Sequence, residues 1–176
     1  MQKEFEYIKN YINGKGIDIG CGTNRLSNDI LAIDQQPNKQ YAHADIIHDC
    51  KDLNINSFEW KGNIYSFIDN SFDFIFSSHC LEDFKNIPEV FLNWWKKIKK
   101  DGYMILLLPD IEGGRYPKCD NKHGNPSHRT DVGKNYIMDM LIELKNKNGI
   151  DYDVIQSDTI PHDKSCSIDF VIKKKE

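Results

Sequence analysis

Four stretches of this chain gather residues that could bind or transform a ligand. In GIDIGCGTN, residues 16–24, an apolar run ends in Gly20 and Gly22. Glycines at a strand end let the backbone approach a ligand without a Cβ collision. Asp34 closes the next apolar run, ILAID, where a carboxylate faces the ligand crevice of a parallel sheet. A third stretch, SSHCLED, holds His79, Glu82 and Asp83, and a fourth, from Leu108 to Asp131, holds Asp110, Arg115, Tyr116, His123, His128, Arg129 and Asp131. A histidine oriented by a carboxylate is a base suited to neutral pH. His128 with Asp110 or Asp131 is the candidate pair, and His79 is either a base or a hydrogen-bonding wall. Blander readings stand beside these. The glycine loop is then a tight turn, Glu82 and Asp83 cap or solvate the turn that follows, and Thr130 or Asp131 caps the next helix with His128 an ordinary loop residue.

Some chemistry is excluded by spacing. No G-K-[ST] follows the glycines, so the loop is not a P-loop, and G-x-G-x-x-G is incomplete because Thr23, Asn24 and Arg25 follow Gly22. A dinucleotide site remains open through Asp34. Cys119, His123 and His128 match no zinc signature, and no metal is expected. Nothing around Cys21 marks it as a nucleophile.

The elements that must position these residues follow from periodicity. Continuous apolar runs predict strands at 16–20, 30–34, 43–47, 72–77 and 103–108, with two more at 151–156 and 167–173. Runs without a polar face suit a parallel sheet covered on both sides. Phe5, Ile8 and Ile12 predict a first amphipathic helix ended by Gly14 and Gly16. Pro88 opens a second, carrying Val90, Phe91, Trp94, Trp95 and Ile98 on its core side and stopped by Asp101-Gly102. A third runs from Thr130 to about Asn148 with Ile137, Met140, Leu141 and Leu144 inward, ended by Gly149. About seven residues separate Gly22 from the second strand, too few for a crossover helix, and residues 50–70 lack a helical period. The reading is an α/β sheet with some helices reduced.

DIGCGTN (18–24), LAIDQQP (31–37), HDCKDL (48–53) and IDNSFDFIFSSHCLEDF (68–84) together resemble the class I S-adenosylmethionine-dependent methyltransferases, particularly small bacterial and phage-type members. That resemblance implies a Rossmann-like, mostly parallel seven-stranded sheet with a C-terminal antiparallel hairpin, helices on both faces, and one domain over residues 1–176. It implies S-adenosylmethionine as cofactor, held by Asp18, Gly20, Cys21, Gly22, Asn24, Asp34, Gln35, Asp49, Cys50, Ser78 and His79. Asp34 would hold the ribose hydroxyls, Asp49 the adenine amino group, and the Cys50 backbone the ring edge. The cofactor carries a sulfonium and no phosphate, which suits a loop with carboxylates and no lysine. Asn24 replaces the third glycine, and Asp83 stands where the motif usually ends in histidine. The pattern Y-P … N-P-x-H-x-x-D falls on Tyr116, Pro117, Asn125, Pro126, His128 and Asp131.

Composition narrows the partners. The chain has 176 residues, 39% hydrophobic and 28% charged, with a net charge of −4. That charge invites no nucleic acid, and the basic runs at 96–100 and 173–175 sit at the ends of elements. No N-P-P-Y-type motif of nucleic-acid methylation occurs. Five scattered cysteines suggest reduced thiols in a cytosolic compartment. Neither a signal peptide nor a run of roughly 18 apolar residues is present, so a cytoplasmic protein without membrane contact is expected. No feature indicates an oligomeric state. The expected activity is methylation of a small molecule or glycan through oxygen. The alternatives are a non-catalytic S-adenosylmethionine-binding subunit or regulator, and a Rossmann-type nicotinamide-binding protein.

Overall fold

Residues 3–35, 43–112, 126–161 and 166–176 are described by the computed structural model. Runs without a polar face form its centre. β1 (Gly16–Ile19) and β2 (Leu31–Asp34) bury every residue, as strands covered on both sides must. β2 pairs in parallel with β1 and with the short β3 (Ile46–Ile47), β1 with β6 (Phe72–Ser78), and β6 with β7 (Ile98–Pro109). β9 (Cys166–Lys174) lies antiparallel between β7 and β8 (Tyr152–Pro161). The order β3-β2-β1-β6-β7-β9-β8 gives the expected seven-stranded, mostly parallel sheet with its terminal hairpin. The chain winds outward from β1 and then returns to β1's other side, so the carboxyl ends of β1 and β6 flank a switch point where a crevice opens.

Both α-helices pack on one face. α1 (Ile87–Lys97), with Pro88 in its first turn, buries Val90, Phe91, Trp94 and Trp95. α2 (Lys134–Asn148) buries Ile137, Met140, Leu141 and Leu144 and ends at Gly149, φ +69°. All eight join one core with Ile17, Ile33, Ile75 and Phe170. The reduction of helices is complete on the other face among the described residues. There Phe74, Phe76, Ile105 and Val171 are covered by Phe5, Ile8 and Leu26, and Phe5 meets Phe76 edge-on at 5.5 Å.

Several expected elements are corrected. The N-terminal helix is two 3-10 segments, Lys3–Tyr7 and Lys9–Tyr11. Gly16 opens β1 as expected, and a Cβ there would lie 2.1 Å from the Phe74 ring. α1 stops at Lys97, before Asp101-Gly102, where the buried Lys174 ammonium donates to the Trp95 and Ile98 carbonyls at 3.2 and 2.7 Å. α2 begins at Lys134 after Gly133, and Glu112 accepts the Asn135 N–H at 3.1 Å in its first turn; the Thr130 hydroxyl donates to the Phe84 carbonyl at 2.8 Å instead. The third strand shrinks to Ile46–Ile47. Residues 50–70 contain an unforeseen hairpin, β4 (Phe58–Trp60) and β5 (Asn63–Tyr65). Lys61 and Gly62 join them at φ +48° and +74°, the left-handed pair of a type I′ turn.

No helix among the described residues is long and apolar enough to cross a membrane. Gly16→Ala is expected to destabilise the fold by about 1–3 kcal/mol, the usual cost of overpacking a rigid core. A denaturant melt checks this, and an unchanged midpoint would contradict the packing described at β1.

Candidate functional site

A cavity of about 420 Å³ opens at the carboxyl ends of β1, β2 and β6. Gly20, Gly22, Asp34, Gln35, Asp49, Cys50 and His79, singled out in four separate stretches, all line it. Asp83, noted in SSHCLED, completes the wall with Lys51, Cys80 and Phe84, which carried no signal of their own. Asp18, Cys21, Asn24, Ser78, Asp110 and His128 are not among the lining residues.

The two glycines serve different needs. Gly20, φ +69°, lies against Cys80, whose Sγ would be 2.4 Å from an added Cβ. Gly22, φ +49°, has no atom within 4 Å of such a Cβ, so its bare backbone borders open space. The Gly22 N–H donates to Asp34 Oδ2 at 2.9 Å, and the Gly20 N–H to the Ile33 carbonyl at 2.8 Å. Beneath the loop, Asp18 is 1% exposed and accepts the Leu26 N–H at 2.8 Å. Burial pushes its carboxyl from the ordinary 3.8 up to about 7, against the pull of that N–H and of Arg25. Arg25 forks onto Asp45 and also donates to the His43 and Ile30 carbonyls, fastening the loop to the next strand. Burial, with Asp18 and Asp34 nearby, drives the Cys21 thiol up to about 12, which leaves it inert. The adjoining segment is fixed by Asp49, which accepts the Lys51 N–H at 2.9 Å, and by Trp94, whose indole donates to the Cys50 carbonyl at 2.8 Å. A hydrogen bond to the Cys50 thiol, and then burial, hold the Cys80 thiol well above its usual range.

On the β6 side, His79 adopts a left-handed φ of +51°, a conformation that is uncommon for a residue with a side chain. Its N–H donates to the Leu107 carbonyl at 2.8 Å, and its ring Nε2 lies 3.2 Å from the Ser167 hydroxyl. His79 Nδ1 is 3.5 Å from Glu82 Oε1, and His128 Nε2 is 3.5 Å from the same oxygen. Glu82 is wholly buried and neither carboxyl oxygen has a hydrogen-bond partner among the described residues. The solvated or capping role expected of Glu82 is therefore overturned. Its carbonyl instead accepts the Arg129 and Thr130 N–H groups at 2.9 and 3.1 Å, pinning the His128 segment to this turn. A signal existed in H-x-x-E: His79 and Glu82, three residues apart, meet where the chain turns from β6 into the 3-10 segment Leu81–Asp83. Asp83 is also raised, first by burial and then by Glu82, against a hydrogen bond from Ser127. Asp110 is buried and accepts the Thr159 hydroxyl at 3.0 Å. Arg115, Tyr116, Pro117, Cys119, His123 and Asn125 lie outside the described residues. Among those described, no three His, Cys, Asp or Glu side chains are disposed to hold a metal ion, and Cys21, Cys50 and Cys80 are free thiols.

Known proteins resemble this chain in sequence and in fold. Residues 17–106 match the family model of a methyltransferase domain. Phosphoethanolamine N-methyltransferase 2 of Caenorhabditis elegans is 25% identical over 97 residues, which are 53% of this chain and 22% of that protein. The chain thus spans less than a quarter of that curated relative's length. A possible histamine N-methyltransferase from Thermotoga maritima superposes with a TM-score of 0.69 at 18% identity, covering 98% of this chain and 88% of that one. A SAM-dependent methyltransferase from Archaeoglobus fulgidus gives 0.65 at 14% identity, covering 97% and 91%. At these identities the structural likeness speaks for the fold.

The buried Asp18 makes stability depend on pH. Between 3.8 and about 7 the folded chain keeps a proton that the unfolded chain has released, so stability falls as pH rises through that window and levels off above it. Asp18→Asn retains an acceptor for Leu26 and cannot ionise. Its stability relative to the parent is expected to grow by about 2 kcal/mol between about pH 5 and pH 8. Parallel melts at the two pH values test this, and a constant difference would refute it.

Proposed function

The chain belongs to the methyltransferase-domain family, and from that premise we propose that it is an S-adenosylmethionine-dependent methyltransferase acting on a hydroxyl of a small molecule or glycan. The observation that carries the reading is the convergence of the glycine loop, Asp34 and Asp49 on one cavity. S-adenosylmethionine is the cofactor this family implies, and the residues present fit it. Gly22 leaves open space beside the Asp34 carboxylate, as a ribose-binding acid beside a close backbone approach requires. In this reading Asp34 accepts from the ribose hydroxyls, Asp49 from the adenine amino group, and the Gly20–Gly22 backbone receives the methionine end. The cofactor supplies a methyl group already activated by its sulfonium.

What remains for the chain is to align the acceptor, exclude water and hold a proton. His79, with ring nitrogens facing Ser167 and Glu82, serves as a wall of the acceptor pocket. His128 is the base, with Nε2 toward Glu82 and Nδ1 the nitrogen directed to the acceptor. Asp110 follows the end of β7 and accepts the Thr159 hydroxyl. A net charge of −4 supports a small acceptor over a nucleic acid. A nitrogen acceptor is the second reading, favoured by the N-methylation named for the nematode and Thermotoga proteins. A non-catalytic S-adenosylmethionine-binding subunit is the remaining alternative.

Calorimetric titration with S-adenosylmethionine, its demethylated product and NAD tests the cofactor. Both adenosyl ligands are expected to bind and NAD to fail. Asp34→Ala is expected to weaken binding at least roughly tenfold, as hydrogen bonds to charged groups contribute about 1.5–3 kcal/mol. Binding of NAD alone would refute the assignment.

Methyl uptake from labelled cofactor is then screened over sugars, small alcohols and amines. His128→Ala is expected to lower kcat by roughly 10²–10⁴ for a hydroxyl acceptor while leaving cofactor affinity intact. Uptake by amines alone would favour the second reading. Cofactor binding with no acceptor turned over would favour the non-catalytic one.

A further inference from the structure

Glu82 has no solvent exposure, and both its carboxyl oxygens lack a hydrogen bond among the described residues. A carboxyl group taken out of water is destabilising unless donors or opposite charge meet it. What stands against it is a pair of imidazoles from distant parts of the chain, His79 Nδ1 and His128 Nε2, each 3.5 Å from Oε1. The arrangement is held by backbone. The Arg129 and Thr130 N–H groups both end on the Glu82 carbonyl, and the Thr130 hydroxyl ends on the Phe84 carbonyl. His79 is fixed separately, by its N–H to Leu107 on β7 and its ring to Ser167 on β9. A distance of 3.5 Å is longer than a good hydrogen bond, and such contacts tighten when a ligand is bound.

We propose that Glu82 is the positioning residue of this site, a single buried carboxyl group that sets the ring orientation and tautomer of His79 and His128 together. An acceptor between the rings favours the proton on Nδ1 of His79 and on Nε2 of His128. The opposite nitrogen of each ring, Nε2 of His79 and Nδ1 of His128, then carries the lone pair. For His79 that lone pair meets the Ser167 hydroxyl. For His128 it is the nitrogen that would take an acceptor's proton, a role that rests on the methyltransferase reading above. Third-group orientation of a base is a general device for keeping an imidazole in its useful tautomer.

The test reads tautomers directly, by long-range proton–nitrogen spectra of the full chain labelled at histidine, near neutral pH. His79→Gln and His128→Gln assign the two rings. In the parent protein His79 is expected as the Nδ1–H form and His128 as the Nε2–H form. Glu82→Met, of similar length and without acceptors, is expected to turn both into mixtures. Glu82→Gln, whose carbonyl oxygen can take the place of Oε1 and accept from both rings, is expected to keep the parent tautomers. A folded Glu82→Met variant in which both rings keep their parent tautomers would overturn the proposal, as would the opposite tautomers in the parent. Should neither Glu82 variant fold, the histidine substitutions decide. Loss of His128 must then alter the His79 ring signals through the shared carboxyl group, and silence there overturns the coupling. Calorimetry on the same samples separates the two levels. A parent protein that fails to bind S-adenosylmethionine sinks the methyltransferase reading, whereas the spectra judge Glu82 regardless.

Discussion

The hydrogen bond from the Gly22 N–H to the Asp34 carboxylate is the contact on which the candidate site depends, because the loop after β1 has no helix to hold it. In most parallel sheets a crossover helix supplies partners for the backbone that follows a strand. Here side chains do so. Asp34 takes Gly22 from one side, Asp18 takes Leu26 from below, and Arg25 ties the loop to Asp45 and the His43 carbonyl. The cost is visible at Asp18, whose carboxyl is raised to about 7 by burial. A charged form there is tolerated poorly, and the loop gains a fixed shape in return.

The same economy appears where the chain leaves β6. The turn at Leu81–Asp83 is a single 3-10 segment, yet it receives two backbone N–H groups from the segment before α2 and presents Glu82 inward to two histidines. The turn is joined across the cavity wall to the glycine loop, since Cys80 packs on Gly20 closely enough to forbid a side chain there. A change in either loop is therefore felt by the other.

Aromatic packing anchors both loops to the core. Trp94, fully buried in α1, uses its indole N–H to hold the Cys50 carbonyl, so the helix face that builds the core also positions the segment at Asp49. The β4–β5 hairpin occupies a place where no helical pattern exists. It offers Trp60 to the Arg25 guanidinium at 5.7 Å from the ring centroid, a cation–π contact that braces the glycine loop from outside.

Sequence alone determined the seven strands of the large sheet along the chain, its mostly parallel character, the core faces of both helices and the family. Each of these is local, written in continuous apolar runs, in 3.6-residue spacing and in short motifs such as DIGCGTN. It also marked His79 and His128, but not what joins them. The hairpin at Lys61-Gly62 was legible in principle from its turn residues and was obscured by the lack of strict alternation around it. The end of α1 at Lys97 was not legible, because the cation that completes it, Lys174, comes from the last strand. Glu82 is the sharpest case. In sequence it is one more acid before a helix, a residue type that is mostly exposed. Only the closing of β6, β7 and the segment before α2 around it removed the water and left two imidazoles as its neighbours. Burial and partnership are properties of the assembled chain, and no spacing within a strand or turn records them.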